Sequence, residues 1–316
     1  MAGWRWTRRA AGAVVVGLLA VDGITAFHLV GEVHAVSVAS AVARFRREYR
    51  TPTALSAQST LSAQSALSAA VVQAPAPSVT SPPVVAVGRP TARALALPRP
   101  VPAVQTTTPT AGLRPILPGV YSYATTGGEQ VSTLGGISHS YPATSTITVT
   151  PIPCGYDTRW APLDARYDDY QLCSRGDAVE LQSLVSYHSF DGQVQKKTFS
   201  CDPGTDLRPP TSQPGARFGG HCAGSGSDIA LSGRVVGPET MSVDGQAVPV
   251  LHCHLDEILT GDIQGSRSTD AWWAMADNML VRFESNTDAP RAQSSFGPTH
   301  YTERYTIQLA SMHPQQ

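Results

Sequence analysis

Lysine is almost missing from this chain: Lys196 and Lys197 stand against twenty-one arginines, which with heavy Ala, Val, Gly and Pro usage marks a high-GC coding sequence. Cysteine is absent before Cys154, so no cysteine follows the amino-terminal apolar run to carry a lipid, and a lipoprotein anchor is excluded. Long 3.6-residue periodicity is absent as well, which excludes a helical bundle. Aromatic and acidic residues are both missing from Thr51 to Gly112. Such a stretch cannot bury enough apolar surface to offset its ordering entropy, so residues 51–112 are expected to be a disordered linker.

What is present first is an anchor. Arg5, Arg8 and Arg9 lead into a 21-residue apolar run, Ala10–Val30. As a helix it spans about 31 Å, close to the hydrocarbon thickness of a bilayer. A cleavable signal core is shorter, about 7–15 residues, although Val33, His34 and Ala35 supply a small-x-small cleavage pattern. Two outcomes stay open: a retained signal anchor, or secretion after cleavage near Ala35. The arginines ahead of the run place residues 1–9 in the cytoplasm and the rest outside it. Asp22 interrupts the run; it either contacts a second helix beside Gly17, Gly23 and Thr25 or is tolerated in its neutral form. Residues 31–50 form a juxtamembrane segment whose Arg44, Arg46, Arg47 and Arg50 suit anionic headgroups.

The linker has ten prolines and a six-residue repeat, LSAQST then LSAQSA, from Leu55 to Ala66. Its 62 residues average about 45 Å as a coil and reach about 190 Å when fully extended. Charge then changes sign. Residues 1–112 carry ten arginines against three acidic residues, net +7, and residues 113–316 carry thirteen basic against twenty-one acidic, net −8. An acidic folded part argues against a nucleic-acid partner.

Residues 113–316 read as strands. Val120–Tyr123 alternates, Gly127-Gly128 is expected to turn the chain into Glu129–Leu134, and Thr144–Thr150 is β-branched. Leu181–Phe190, Asp191-Gly192 and Gln193–Phe199 form a hairpin signature, repeated by Glu239–Val243, Asp244-Gly245 and Ala247–Leu259. Arg267–Trp273, Met279–Ser285 and Tyr301–Leu309 complete the set, with Leu163–Leu172 a short-helix candidate. The fold class is all-β or β-rich α+β, built on an antiparallel curved sheet.

Four cysteines, Cys154, Cys173, Cys201 and Cys222, sit in polar Gly/Pro-rich surroundings and point to an oxidising compartment. Five cysteines permit fifteen ways to form two bridges. The pairs Cys154–Cys173 and Cys201–Cys222 are expected because each closes a loop without regular structure. That leaves Cys253, alternating with Leu251 and Leu255, as a buried free thiol.

Chemistry is sparse. His252 and His254 share a strand face, a partial metal pattern with His221 and His188 as distant candidates, and a solvated face is the plainer reading. The acidic aromatic segment Tyr156–Tyr170 reads as a solvated disulfide loop without calcium-loop spacing. The run from His221 to Asp228 lacks the G-x-S-x-G elbow. With no nucleophile–base pair, phosphate loop or complete ligand set legible, the expectation is a non-enzyme without cofactor, a metal-dependent hydrolase through His252 and His254 being the rival. Tyr121, Tyr123, Trp272 and Trp273 fall on candidate strands and could line a ligand cleft.

Four segments also carry a resemblance: GVYSYATTGGEQV (Gly119–Val131), SHSYP (Ser138–Pro142), Cys154 with Arg159-Trp160 and Cys173, and TDAWWAMADNMLVRFES (Thr269–Ser285). Through them the chain resembles a group of actinobacterial secreted or single-pass proteins. The last segment is also similar to the W-x-D-x-x-x-x-L-P-x-R strand pair of lipoprotein-carrier (LolA-like) half-barrels, departing from it at Asn278-Met279. That resemblance implies a half-barrel whose concave apolar face holds acyl chains. The expected role is a binding module of the cell envelope, its partner the membrane through Ala10–Val30 and its ligand a lipid or cell-wall glycan. A protein-interaction module of cell-wall assembly is the alternative.

Overall fold

The computed structural model describes residues 32–50, 113–132, 136–294 and 297–316. The apolar run Ala10–Val30 and the linker lie outside the described residues. Among those described, no helix is long and apolar enough to cross a membrane.

Local turn chemistry sets the strand pattern. Asp191 and Gly192 take φ of 47° and 74°, and Asp244 and Gly245 take 51° and 73°. Two successive positive φ angles are what a tight primed hairpin turn requires, and Asp-Gly supplies them at little cost. In chain order the elements are α1 (Val38–Arg50), β1 (Gly119–Val131), β2 (Ile137–Ser140), β3 (Thr144–Ile152), β4 (Gly155–Leu163) and β5 (Arg166–Arg175). β6 (Ala178–Phe190), β7 (Gln193–Cys201), β8 (Asp206–Arg208), β9 (Arg217–Gly224) and β10 (Ser227–Val243) follow. β11 (Gln246–Gly261), β12 (Ile263–Ala274), β13 (Leu280–Ser294) and β14 (Gly297–Leu309) complete the chain.

All pairings are antiparallel and most join sequence neighbours, and β14 returns to pair β1 from Tyr123↔Leu309 to Val131↔Tyr301. The sheet therefore closes into a barrel of twelve strands, with β2 and β8 added beside β1 and β6. This corrects the half-barrel expectation: the curved sheet has no free concave face, because its two edge strands zip together. Closure removes the exposed edges that an open sheet must protect. It also matters for function, since twelve strands enclose more interior than the eight that side chains alone can fill.

Three local expectations change too. Gly127-Gly128 is no turn. β1 runs straight through it, pairing β3 over residues 119–124 and β2 over residues 128–131. A Cβ on Gly127 would lie 2.0 Å from the Arg304 carbonyl oxygen, and one on Gly128 2.3 Å from that of His139. The glycines thus permit close backbone approach where β1 changes partner. Leu163–Leu172 is not helical but spans the β4–β5 turn and most of β5. Tyr156–Tyr170 is likewise no solvated loop, since it forms the β4–β5 hairpin and buries Asp168 to 1% exposure.

The interior is aromatic and aliphatic. Trp160 stacks on Tyr305 with ring centres 4.3 Å apart, and Tyr141 meets both edge-on. Outward positions along β13 are polar, with Arg282, Glu284, Asn286 and Asp288 alternating there.

The disulfides Cys154–Cys173 and Cys201–Cys222 are both present. Cys201 and Cys222 are in direct register between β7 and β9, so this bridge staples neighbouring strands rather than an irregular loop. Cys253 is a buried free thiol on β11.

Residues 32–50 are part of the folded unit. Ala35 bridges Leu163, the amide of Val36 donates to the Pro162 carbonyl (3.1 Å), and the Asp164 amide donates to the carbonyl of His34 (2.9 Å). Ser37 then caps α1 by accepting from the Ser40 amide (3.1 Å). The helix lays Ala41, Val42 and Phe45 on Val120 of β1. Arg46 donates to the Gln316 carbonyl.

Candidate functional site

One end of the barrel, here the mouth, bears the β4–β5, β6–β7 and β11–β12 turns. A cavity of about 230 Å³ opens there, lined by Asp191 of the β6–β7 turn and Ile263 at the start of β12. Its walls are apolar, with Val131, Ile137, Leu184, Phe190, Ile229 and Ala289 among them. Its floor is polar and partly charged, with Arg166, Arg267, His188, Tyr301 and Glu303.

Strand periodicity builds that floor. Arg166 and Asp168 point inward two residues apart on β5, as Ser186 and His188 do on β6 and Tyr301 and Glu303 on β14. Glu129 of β1 sits in register with Glu303, and two carboxylates opposite each other repel. Arg166 resolves the conflict. Its Nε lies 2.9 Å from Glu303 Oε1 and 3.8 Å from Glu129 Oε2, and its terminal nitrogens donate to both oxygens of Asp168 at 2.7 and 2.8 Å. The hydroxyl of Tyr141 donates to Glu303 as well.

Glu129, whose side chain has no exposed surface, receives more bonds. His139 Nδ1 and His188 Nδ1 each lie 2.9 Å from one of its oxygens, and the Tyr301 hydroxyl donates at 3.1 Å. Burial alone pushes this carboxyl up, but the two imidazole hydrogen bonds and the charge of Arg166 outweigh it, and the group sits at about 2. Asp168 behaves the same way: burial opposes its charge, the Arg166 pair overrides burial, and its pKa is about 2. The buried Arg166 is in turn held charged by Asp168 and Glu303 against its own desolvation. Burial, with Glu303 and Glu129 nearby, keeps the Tyr301 hydroxyl protonated well beyond its ordinary range.

Ser186 completes the arrangement. Its Oγ lies 3.1 Å from His188 Nε2, the ring nitrogen opposite the one bound to Glu129. Arg267 joins from β12, donating to Glu257 Oε2 at 2.6 Å, and its buried Nε has no partner.

Apart from His188, the residues singled out from sequence lie elsewhere. Tyr123 and Trp273 line a second cavity of about 70 Å³ deeper in the barrel, where the Tyr123 hydroxyl donates to the Leu280 carbonyl at 2.7 Å. Tyr121 is buried and donates to the Leu117 carbonyl at 2.8 Å. Trp272 faces outward, stacked on His252 with ring centres 4.2 Å apart and its Nε1 donating to Glu239 at 3.0 Å. His252 and His254 also face outward, and both contact Asp270 Oδ1, at 2.9 and 3.0 Å. Among the described residues, no group of three or more His, Cys, Asp or Glu is placed to hold a metal ion. Burial pushes the Cys253 thiol up to about 12.

Of the floor residues, His188 was noticed only as a distant metal-ligand candidate and Asp168 only within the acidic segment Tyr156–Tyr170, while Glu129, Arg166, Ser186 and Glu303 drew no notice as site residues. The one signal for them was Ser-x-His on the inward phase of Leu181–Phe190, which places two polar groups where an apolar pair is the rule. Compared with known proteins, the chain matches no family model, no curated protein and no solved structure.

Proposed function

We propose that this chain is a membrane-tethered, extracytoplasmic barrel that holds an amphipathic, acyl-bearing ligand in its mouth cavity. The observation that carries the reading is the pairing of apolar walls with a charged, hydrogen-bonding floor in one enclosed space. Apolar pockets with a few convergent polar groups are where small molecules bind. The walls favour an acyl chain over a glycan, and the floor suits a polar or anionic head. The two disulfides support an oxidising compartment.

The docked segment supports a membrane source for the ligand. His34 is tied to Asp164 of the β4–β5 turn, at the mouth end, with its amide donating to Asp164 Oδ1 at 3.0 Å. Only residues 31–33 separate it from the apolar run that ends at Val30. A few extended residues reach roughly 13 Å. A spanning Ala10–Val30 would therefore hold the mouth close to the bilayer surface.

Native mass spectrometry of the full-length protein purified from its own membranes tests this. The expected result is a co-purified lipid that is lost in an Ala289→Phe variant, whose ring fills the cavity. A clean ligand-free mass for the unaltered protein would refute the reading. It would leave the protein-interaction alternative in its place.

A further inference from the structure

Ser186, His188 and Glu129 are joined in one line. The Ser186 Oγ to His188 Nε2 distance is 3.1 Å and the His188 Nδ1 to Glu129 Oε2 distance is 2.9 Å. Ser186 and His188 line the mouth cavity, while Glu129 lies behind them. We propose that these three residues form a nucleophile, base and carboxylate relay that hydrolyses carboxylic esters of apolar acyl chains. The proposal rests on the mouth cavity being the ligand site.

The proton positions follow from the contacts. An ionised Glu129 can only accept, so His188 Nδ1 donates to it, and the neutral ring then offers Nε2 as acceptor to the Ser186 hydroxyl. His188 is fixed in place, since the Tyr301 ring meets it edge-on at 5.1 Å. Positioned in this way, the base is set to receive the serine proton.

In the first step Ser186 Oγ bonds to the ester carbonyl carbon as its proton passes to His188 Nε2. The carbon–oxygen bond to the alcohol breaks, and the alcohol oxygen takes that proton. In the second step water gives a proton to His188 and adds to the acyl-serine. The bond to Ser186 breaks, the carboxylic acid leaves, and the proton returns to Ser186. The balance is ester plus water to acid plus alcohol, with no other reactant. One cation of the same cavity is placed for the transient oxyanion, Arg267 with its partnerless Nε, whereas Lys197, in register with Ser186, is held by Asp262 Oδ2 at 2.6 Å.

The test treats the full-length chain in detergent with a biotinylated fluorophosphonate and maps the adduct by peptide mass spectrometry. 4-Nitrophenyl octanoate turnover and binding of a fluorescent fatty acid are measured in parallel. The expected adduct is on Ser186 alone. Turnover should fall by about 100-fold or more in both Ser186→Ala and His188→Gln, while Ser186→Ala still binds the fatty acid, which shows that it is folded. No adduct with fatty-acid binding intact overturns the hydrolysis and leaves the binding reading standing. No adduct and no binding overturns both, and an adduct on another serine overturns the assignment of Ser186.

Discussion

Replacing Arg166 with Met keeps the length of the side chain and removes the guanidinium placed between Asp168, Glu303 and Glu129. Arg166 is 1% exposed and donates to four carboxylate oxygens, so the three acids it serves lose a cation that water cannot replace. Breaking a buried ion pair by removing one partner costs about 3–5 kcal/mol. For a domain of this size that corresponds to about 6–20 °C in Tm. The pH dependence fixes the cause. In the unaltered protein the Asp168 pKa falls from an ordinary 3.8 to about 2, so its contribution is fully present above 3.8 and lost as pH falls through 2. Without Arg166, burial dominates and raises that pKa above the unfolded value, and ionisation at higher pH then opposes folding. The deficit should already be present near pH 4, where the Asp168 contribution is complete, and widen further toward pH 7. Thermal unfolding followed by near-ultraviolet circular dichroism, with disulfides intact, measures it at both pH values. A deficit under about 1 kcal/mol at pH 7, or one that widens on acidification, would refute the assignment of Arg166 as the cation that holds the floor together.

Three further outcomes are expected. Non-reducing peptide maps should show Cys154 with Cys173 and Cys201 with Cys222, and replacing the first pair by serine should cost about 3 kcal/mol. Native Cys253 should resist iodoacetamide until denaturant is added, and rapid native labelling would contradict its burial. Phe45 anchors α1 on Val120, so Phe45→Ala should weaken docking by about 2–4 kcal/mol. Limited proteolysis should then cut within residues 32–50 while the barrel stays whole, and unchanged protection would show that the helix does not depend on this contact.

Docking of residues 34–50 also changes how the long linker bears on reach. A chain that ran from anchor through a flexible stalk to a distant domain would let the linker set how far the domain travels. Here, among the described residues, the first tie to the barrel is at His34, ahead of residues 51–112. The residues that flank residues 51–112 meet the carboxy terminus: Arg46 donates to the Gln316 carbonyl, and Val120 exchanges backbone hydrogen bonds with Gln315. Residues 50 and 113, on either side of residues 51–112, both belong to the barrel unit.

What the sequence disclosed, and what it concealed, follows the range of the physics involved. The Asp-Gly hairpins were legible because a primed turn is decided by two adjacent residues. The cysteine pairs were legible because only a few pairings are sensible, although the reason that chose them applied poorly to the register-matched Cys201 and Cys222. Gly127-Gly128 misled because the same dipeptide serves a turn or a close backbone approach, and only the arrival of β14 against β1 decides between them. Barrel closure was hidden for a related reason, since the β1–β14 ladder joins opposite ends of the folded part and leaves no local mark. The floor was hidden more deeply. Glu129, Arg166, Asp168 and Glu303 occupy inward strand positions that a pattern argument assigns to apolar side chains, so each one alone reads as a solvated charge. They become intelligible only as a set, because no one of them could be buried without the others. A cluster of that kind, set under apolar walls, is costly to keep where an apolar core would do. This cost is the physical reason to look for function at the mouth of the barrel rather than at the exposed histidines of β11.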